Sequence, residues 1–265
     1  MSNQIVRLVG TFTGWERNEL LFHYPESGEW WLGYFSNNQL HWQLANNSSG
    51  FGNLLEGYKF WVGNFTSSQQ LDLLFYSPGD GNWWLGHFTE TRLNWKLVGN
   101  TAGFGNLADG RPIWIGNFIK TEQINLLFYS PGDSNWWVGY LEEERLSWKL
   151  AGNTAGFGNL LEGHKFWVGN FTSSQQLDLL FYSPGDGNWW VGYLEEERLN
   201  WKLAGNTAGF GNVTDGRPFW TGNFTGSGRT DLLFFSPVDK HWWLGYFTGT
   251  QLQWNLANSP DHSDS

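Results

Sequence analysis

Aromatic and aliphatic residues fall in short bursts along this chain, broken by Gly, Asn, Ser, Pro and Asp. Read from Lys59, the bursts are FWVGNF (60–65), LDLLFY (71–76), WWLGHF (83–88) and LNWKLV (93–98). Aromatic-rich runs of this length, bounded by turn formers, predict β-strands. Ser77-Pro-Gly-Asp-Gly-Asn82 predicts a turn between the second and third strands. The third-to-fourth connection reads LEEERL at 141–146, which alone has helical composition. In register, the same place reads FTETRL at 88–93 and FTGTQL at 247–252, and Gly and β-branched Thr predict a turn there. The longest connection, 99–111, is rich in Gly and Asn and holds a Phe-Gly pair. No helix is predicted.

The bursts recur. Trp-Trp stands at 30–31, 83–84, 136–137, 189–190 and 242–243, always 53 residues apart, and segment 59–84 is identical to 165–190. This is the signature of a repeat protein. Four antiparallel strands in each of five units predict an all-β fold, a five-bladed β-propeller, occupying 1–265 as one domain. The repeats are approximately 6–58, 59–111, 112–164, 165–217 and 218–265, with 1–5 as an N-terminal extension. Each blade is expected from one continuous segment, the first strand lying near 7–12 and the last near 252–257. A β-prism or β-helix solenoid is the rival, and it favours shorter repeats or fewer strands per unit. Adjacent residues of a strand face opposite sides, so a Trp pair suits a blade whose two faces are both apolar. Trp84 and its counterparts are expected in the core; Trp83, nearer the turn, is expected to be more exposed and to stack on a ligand. Five blades make a tight ring, so Gly63, Gly116, Gly169 and Gly222 in the first, innermost strands are expected near its axis.

Segment 222–237, GNFTGSGRTDLLFFSP, resembles an FG-GAP (VCBS-type) propeller repeat, in which an inner strand passes through an Asp/Gly-rich loop into Asp-Leu-Leu and a second strand. The Phe-Gly pairs at 51–52, 104–105, 157–158 and 210–211 match its leading dipeptide. The likeness covers all five repeats and departs where that family binds calcium. The acidic loop reads TSSQQ at 66–70 and 172–176; Asp72, Asp178 and Asp231 remain, and Asn125 replaces the fourth. Calcium takes six to eight oxygens, several of them anionic, so no structural calcium is expected. The resemblance implies adhesion propellers or amino-sugar-binding lectins as relatives. A further likeness, of architecture alone, is to the five-bladed tachylectin family.

Composition narrows the partners. Twenty Trp, 21 Phe and 9 Tyr give 19% aromatic residues, ample for a core, and exclude a disordered chain. A net charge of −10 disfavours nucleic acid and anionic membrane surfaces. The absence of Cys excludes disulfides, thiol catalysis and Cys-based zinc sites. No apolar run is long enough for membrane insertion, and no signal peptide is visible, so a cytoplasmic location, or release without a signal peptide, is expected. The six His never share a register position, so no repeated metal site is expected; a single one from His23, His41 and His262 has no spacing to support it. No metal and no cofactor is predicted.

Sugar recognition uses an aromatic face and planar polar groups. The second-to-third and fourth-to-first connections leave a blade on one side, which brings Asp80, Asn82 and Trp83 toward Asn100, Thr101 and Asn106. The set recurs as Asp133, Asn135, Trp136, Asn153 and Asn159, and as Asp186, Asn188, Trp189, Asn206 and Asn212. It changes to Asp239, His241 and Trp242 in the fifth repeat and to Ser27, Glu29 and Trp30 in the first. The alternative is turn chemistry for the Asp and Asn and core packing for the Trp. The sequence thus points to a multivalent carbohydrate-binding lectin with glycans as partners. A protein-interaction scaffold is the second reading. An enzyme is the third, with a single central cavity near the symmetry-breaking Trp15, Glu16, Arg17, His23 and His41.

Overall fold

The computed structural model describes residues 5–15, 17–51, 59–66, 69–119, 123–173, 175–237 and 239–257. Each repeat forms one four-stranded antiparallel sheet whose strands follow chain order. The first holds β1 (Val6–Gly10), β2 (Glu19–Tyr24), β3 (Glu29–Ser36) and β4 (Gln39–Asn47). The second holds β5 (Lys59–Gly63), β6 (Asp72–Ser77), β7 (Asn82–Thr89) and β8 (Arg92–Asn100). The third holds β9 (Ile113–Gly116), β10 (Asn125–Ser130), β11 (Asn135–Glu142) and β12 (Arg145–Asn153). The fourth holds β13 (Lys165–Gly169), β14 (Asp178–Ser183), β15 (Asn188–Glu195) and β16 (Arg198–Asn206). The fifth holds β17 (Phe219–Gly222), β18 (Asp231–Ser236), β19 (His241–Thr248) and β20 (Gln251–Ala257). Among the described residues no sheet borrows a strand from another repeat.

Burial follows strand order. The unbroken apolar run of β6 is buried along its whole length, whereas β8 alternates and turns much of its surface to solvent. The doubtful connection at 141–146 is a two-residue turn, with Glu143 and Glu144 at φ 47° and 61°. Two successive positive φ values are the type I′ geometry whose twist matches that of the flanking strands.

The chain divides into two compact units, one containing the first two sheets and the other the last two. In the first unit, Phe12, Leu21, Trp30, Leu73, Phe75 and Phe88 form a core that joins sheets one and two. In the second, Phe171, Tyr182, Trp189, Leu232 and Phe234 do the same for sheets four and five. Consecutive repeats are also stitched by backbone bonds at the first connection. Leu71 N donates to Thr11 O at 2.7 Å, Ile124 N to Asn64 O at 2.9 Å, and Thr230 N to Asn170 O at 2.9 Å. Gly63 makes this approach possible, because a Cβ there would lie 2.5 Å from Ile124 Cδ1.

Candidate functional site

The predicted turn residues do assemble. Asn82 N donates to Asp80 Oδ1 at 3.1 Å and its amide to Asp80 Oδ2 at 2.7 Å. Asn100 reaches across from the end of β8, donating to Asp80 O at 2.8 Å and Asn82 Oδ1 at 2.7 Å. The third repeat reproduces the triad, with Asn153 at 2.8 Å from Asp133 O and 2.8 Å from Asn135 Oδ1. The fourth does so with Asn206, at 2.9 Å from Asp186 O and 2.7 Å from Asn188 Oδ1. Partial burial opposes ionisation of Asp80, but bonds from Ser77 and Asn82 outweigh it and hold the carboxyl below its ordinary range. Asp133 and Asp186 are lowered in the same way. The three acids are exposed and carry negative charge at neutral pH.

Asn106, Asn159 and Asn212 stand apart from these triads. Each caps its own turn, accepting from the backbone N–H of Ala108, Leu161 or Thr214. In the fifth repeat Asp239 accepts from His241 N at 3.2 Å and from the Trp243 indole at 3.0 Å. Glu29 makes the equivalent bond in the first repeat, 3.0 Å from Trp31 Nε1.

The expected order within the Trp pairs is reversed. Trp83, Trp136 and Trp189 are fully buried and present no face to a ligand, while Trp84, Trp137 and Trp190 are half-buried. The cause is a hydroxyl 18 residues downstream: the indole N–H donates to Thr101, Thr154 and Thr207 at 2.8, 2.9 and 2.8 Å. That bond satisfies the one polar atom of the ring and lets the whole side chain be buried. Each buried ring then packs on the fourth-strand Trp of the next repeat, as in Trp83–Trp148 at 5.8 Å and Trp189–Trp254 at 6.0 Å. Trp242 has Pro260 at the corresponding position and remains half-buried.

The loop carboxylates are structural clamps. Asp72 Oδ2 accepts from Phe65 N and Thr66 N, both at 3.0 Å, and Asp231 Oδ2 from Thr225 N at 2.7 Å. Glu19, which the sequence reading passed over, does this in the first repeat, binding Phe12 N at 2.8 Å and Thr13 N at 2.9 Å. Its register with Asp72 was the available signal, obscured by the longer side chain. Among the described residues no group of three or more His, Asp or Glu is placed to hold a metal ion.

Of the described residues proposed for a single catalytic spot, Trp15, Arg17 and His41 gather about Tyr34, and His23 packs elsewhere. Trp15, Tyr34 and His41 form an aromatic chain, with centroids at 5.2 and 5.7 Å, and Arg17 lies 5.1 Å over Trp15. His23 is buried and stacked on Trp30 at 4.4 Å. Glu16 and His262 lie outside the described residues. Two hollows were not anticipated. One, of about 290 Å³ in the second unit, is lined by Thr172, Gln176, Tyr193, Glu195 and Glu196. The other, of about 370 Å³ in the first repeat, is lined by Tyr24, Ser27, Glu29, Trp31 and Trp42.

No protein-family model matches the chain, and no curated protein matches it in sequence. Solved structures do match. An Agrocybe aegerita lectin, described as recognising non-reducing terminal N-acetylglucosamine, aligns with a TM-score of 0.73 at 13% identity. The alignment covers 96% of this chain and 66% of that lectin, so the chain spans just under two thirds of its length. AofleA from Arthrobotrys oligospora aligns at a TM-score of 0.45 and 11% identity, over 92% of this chain and 69% of its own. The first likeness defines the class: an all-β propeller fold with five four-stranded antiparallel blades.

Proposed function

We propose that this protein is a multivalent carbohydrate-binding lectin, with one weak glycan site at the Asp–Asn–Asn triad of each of the three central repeats. The observation that carries the reading is the repetition itself, three exposed triads with matching bonds. Each triad keeps part of its hydrogen-bonding capacity: one amide N–H of Asn82 and unused lone pairs on Asp80 suit sugar hydroxyls. The aromatic contribution falls to the half-buried second Trp of each pair, Trp84, Trp137 or Trp190, in place of Trp83, Trp136 and Trp189. Descent from FG-GAP (VCBS-type) repeats belongs to the same proposal, supported by the strand order and the Asp-Leu-Leu that opens β6, β14 and β18.

Individually weak sites gain from multiplicity. A millimolar constant is about −4 kcal/mol, and presenting several sites together raises avidity by roughly two to four orders of magnitude. The fold-related Agrocybe lectin makes N-acetylglucosamine the first sugar to test, by analogy of fold. Calorimetry is expected to show three equivalent weak sites per chain, with Asp133→Ala removing one. A glycan array should show far tighter binding to clustered ligands. One tight site per chain, or none, overturns the reading.

A further inference from the structure

The first repeat departs from the other four in three ways that meet in one hollow. Tyr24 stands where they have Ser77, Ser130, Ser183 and Ser236, and Glu29 where they have Asn82, Asn135, Asn188 and His241. The third departure is the exposure of Trp42, whose counterparts Trp95, Trp148, Trp201 and Trp254 are half-buried.

The counterparts Trp95, Trp148, Trp201 and Trp254 pack on the first Trp of the preceding repeat at 5.5–6.0 Å. Trp42 keeps the contact with the second-strand Phe that Trp95, Trp201 and Trp254 also make, here Phe22 at 4.9 Å, and is 41% exposed. Its ring is nonetheless held in place, lying flat over Gly33, where a Cβ would come within 2.7 Å of it.

We propose that this hollow binds a trimethylammonium cation. Tyr24, Trp31 and Trp42 supply three aromatic walls, and Glu29 supplies the anion. The Trp31 indole holds Glu29 Oε2 at 3.0 Å, which fixes the carboxylate and leaves Oε1 for a ligand. Among the described residues no Lys or Arg lines the hollow, and the chain as a whole carries −10. The same stack already accepts a cation at its other end, where the Arg7 guanidinium sits 5.9 Å over Phe22. A quaternary ammonium sheds water cheaply, cannot donate a hydrogen bond, and draws its affinity from aromatic faces and a nearby anion. Those are the groups present here. Aromatic surface dominates the lining, with Glu29 its single charged group.

The test is calorimetric titration of the whole chain with choline, beside its neutral isostere 3,3-dimethylbutan-1-ol. One saturable site per chain is expected, with choline bound at least about tenfold more tightly than the isostere. Glu29→Gln should weaken choline about tenfold, and Trp42→Ala, at an exposed position, should abolish binding while leaving the circular dichroism unchanged. Phosphatidylcholine vesicles distinguish the source. Binding of choline alone assigns a small solute, binding of both a lipid headgroup, and either supports the cation site. Equal binding of choline and the isostere, indifference to Glu29→Gln and Trp42→Ala, or no saturable binding of choline or vesicles overturns it. The outcome is independent of the lectin reading, because Glu29→Gln leaves the three Asp–Asn–Asn triads intact.

Discussion

Segments 59–84 and 165–190 carry the same residues, yet their buried carboxylates have different partners. Asp72 and Asp178 are both fully buried, and each clamps its own loop through Oδ2. Asp72 Oδ1 also lies 2.6 Å from His87 Nδ1. Asp178 Oδ1 has no hydrogen-bonding partner, and burial pushes this carboxyl up to about 6 against bonds from Thr172 that only partly offset it. The difference originates outside the identical stretch, at His87 against Tyr193 on the neighbouring strand. Identity of a repeat fixes its backbone clamp, and the residue on the neighbouring strand decides what the second carboxylate oxygen meets.

The largest effect should ignore this difference. Trp83→Ala and Trp189→Ala each remove a fully buried ring with its threonine bond, and each should cost about 3–5 kcal/mol. Trp84→Ala and Trp190→Ala, at half-buried rings, should cost clearly less in denaturant unfolding. Equal losses within a pair would return both rings to the core; unequal losses between repeats two and four would mean the carboxylate state reaches the packing.

That reversed order marks the limit of what the sequence made legible. Strand number, sheet composition and the turn at 143–144 follow from local signals, the Trp pairs, the Gly-rich punctuation and Thr in register. So does the meeting of Asp80, Asn82 and Asn100, since two connections on one side of a sheet must approach. Which Trp is buried does not follow from alternation, because the register shifts between Trp83 and Trp84 where β7 pairs β8. The signal was present at a distance, in Ser48, Thr101, Thr154 and Thr207 spaced one repeat apart. The hollow at Trp31 was harder still to read, since it gathers Tyr24, Glu29, Trp31 and Trp42 from three strands of one sheet.

The first repeat extends the comparison to a base. His23 occupies the register of Tyr76, Tyr129 and Tyr182, and neither ring nitrogen has a hydrogen-bonding partner. Burial lowers it from 6.5 to about 4. The unfolded chain therefore binds this proton first as pH falls, so the stability held above pH 6.5 drains away between 6.5 and about 4. The loss amounts to about 3 kcal/mol. His23→Phe, which installs the residue found at Phe235, should flatten that limb in urea midpoints measured against pH. An unchanged slope would mean His23 is solvated in the folded protein.

Asp178 works in the opposite direction. Its folded value lies above the ordinary 3.8, so the folded chain binds the proton first, and stability is gained as pH falls through about 6 toward 3.8. The two limbs overlap and offset one another, which predicts a shallow acid dependence for the native sequence. Asp178→Asn, the residue the third repeat carries as Asn125, should remove the gain and expose the full His23 slope. At pH 8 the same variant should be about 1–2 kcal/mol more stable, because it no longer holds an incompletely partnered charge in the interior.

The smallest effect tests the comparison itself. Tyr193→His places beside Asp178 the imidazole that Asp72 already has, and His87→Tyr removes it from Asp72. If the cross-strand neighbour sets the carboxylate, the first change should lower the titration of Asp178 below about 6 and stabilise the fold at neutral pH by about 1 kcal/mol. The second takes the cross-strand partner away from Asp72 Oδ1 and should cost a similar amount. The double exchange should leave total stability near the native value, and carboxyl carbon shifts in NMR would follow Asp178 through the series. Should Asp178 titrate unchanged in Tyr193→His, residue 193 would not be what sets its carboxyl. The neighbouring strand would then have no hold on the charge.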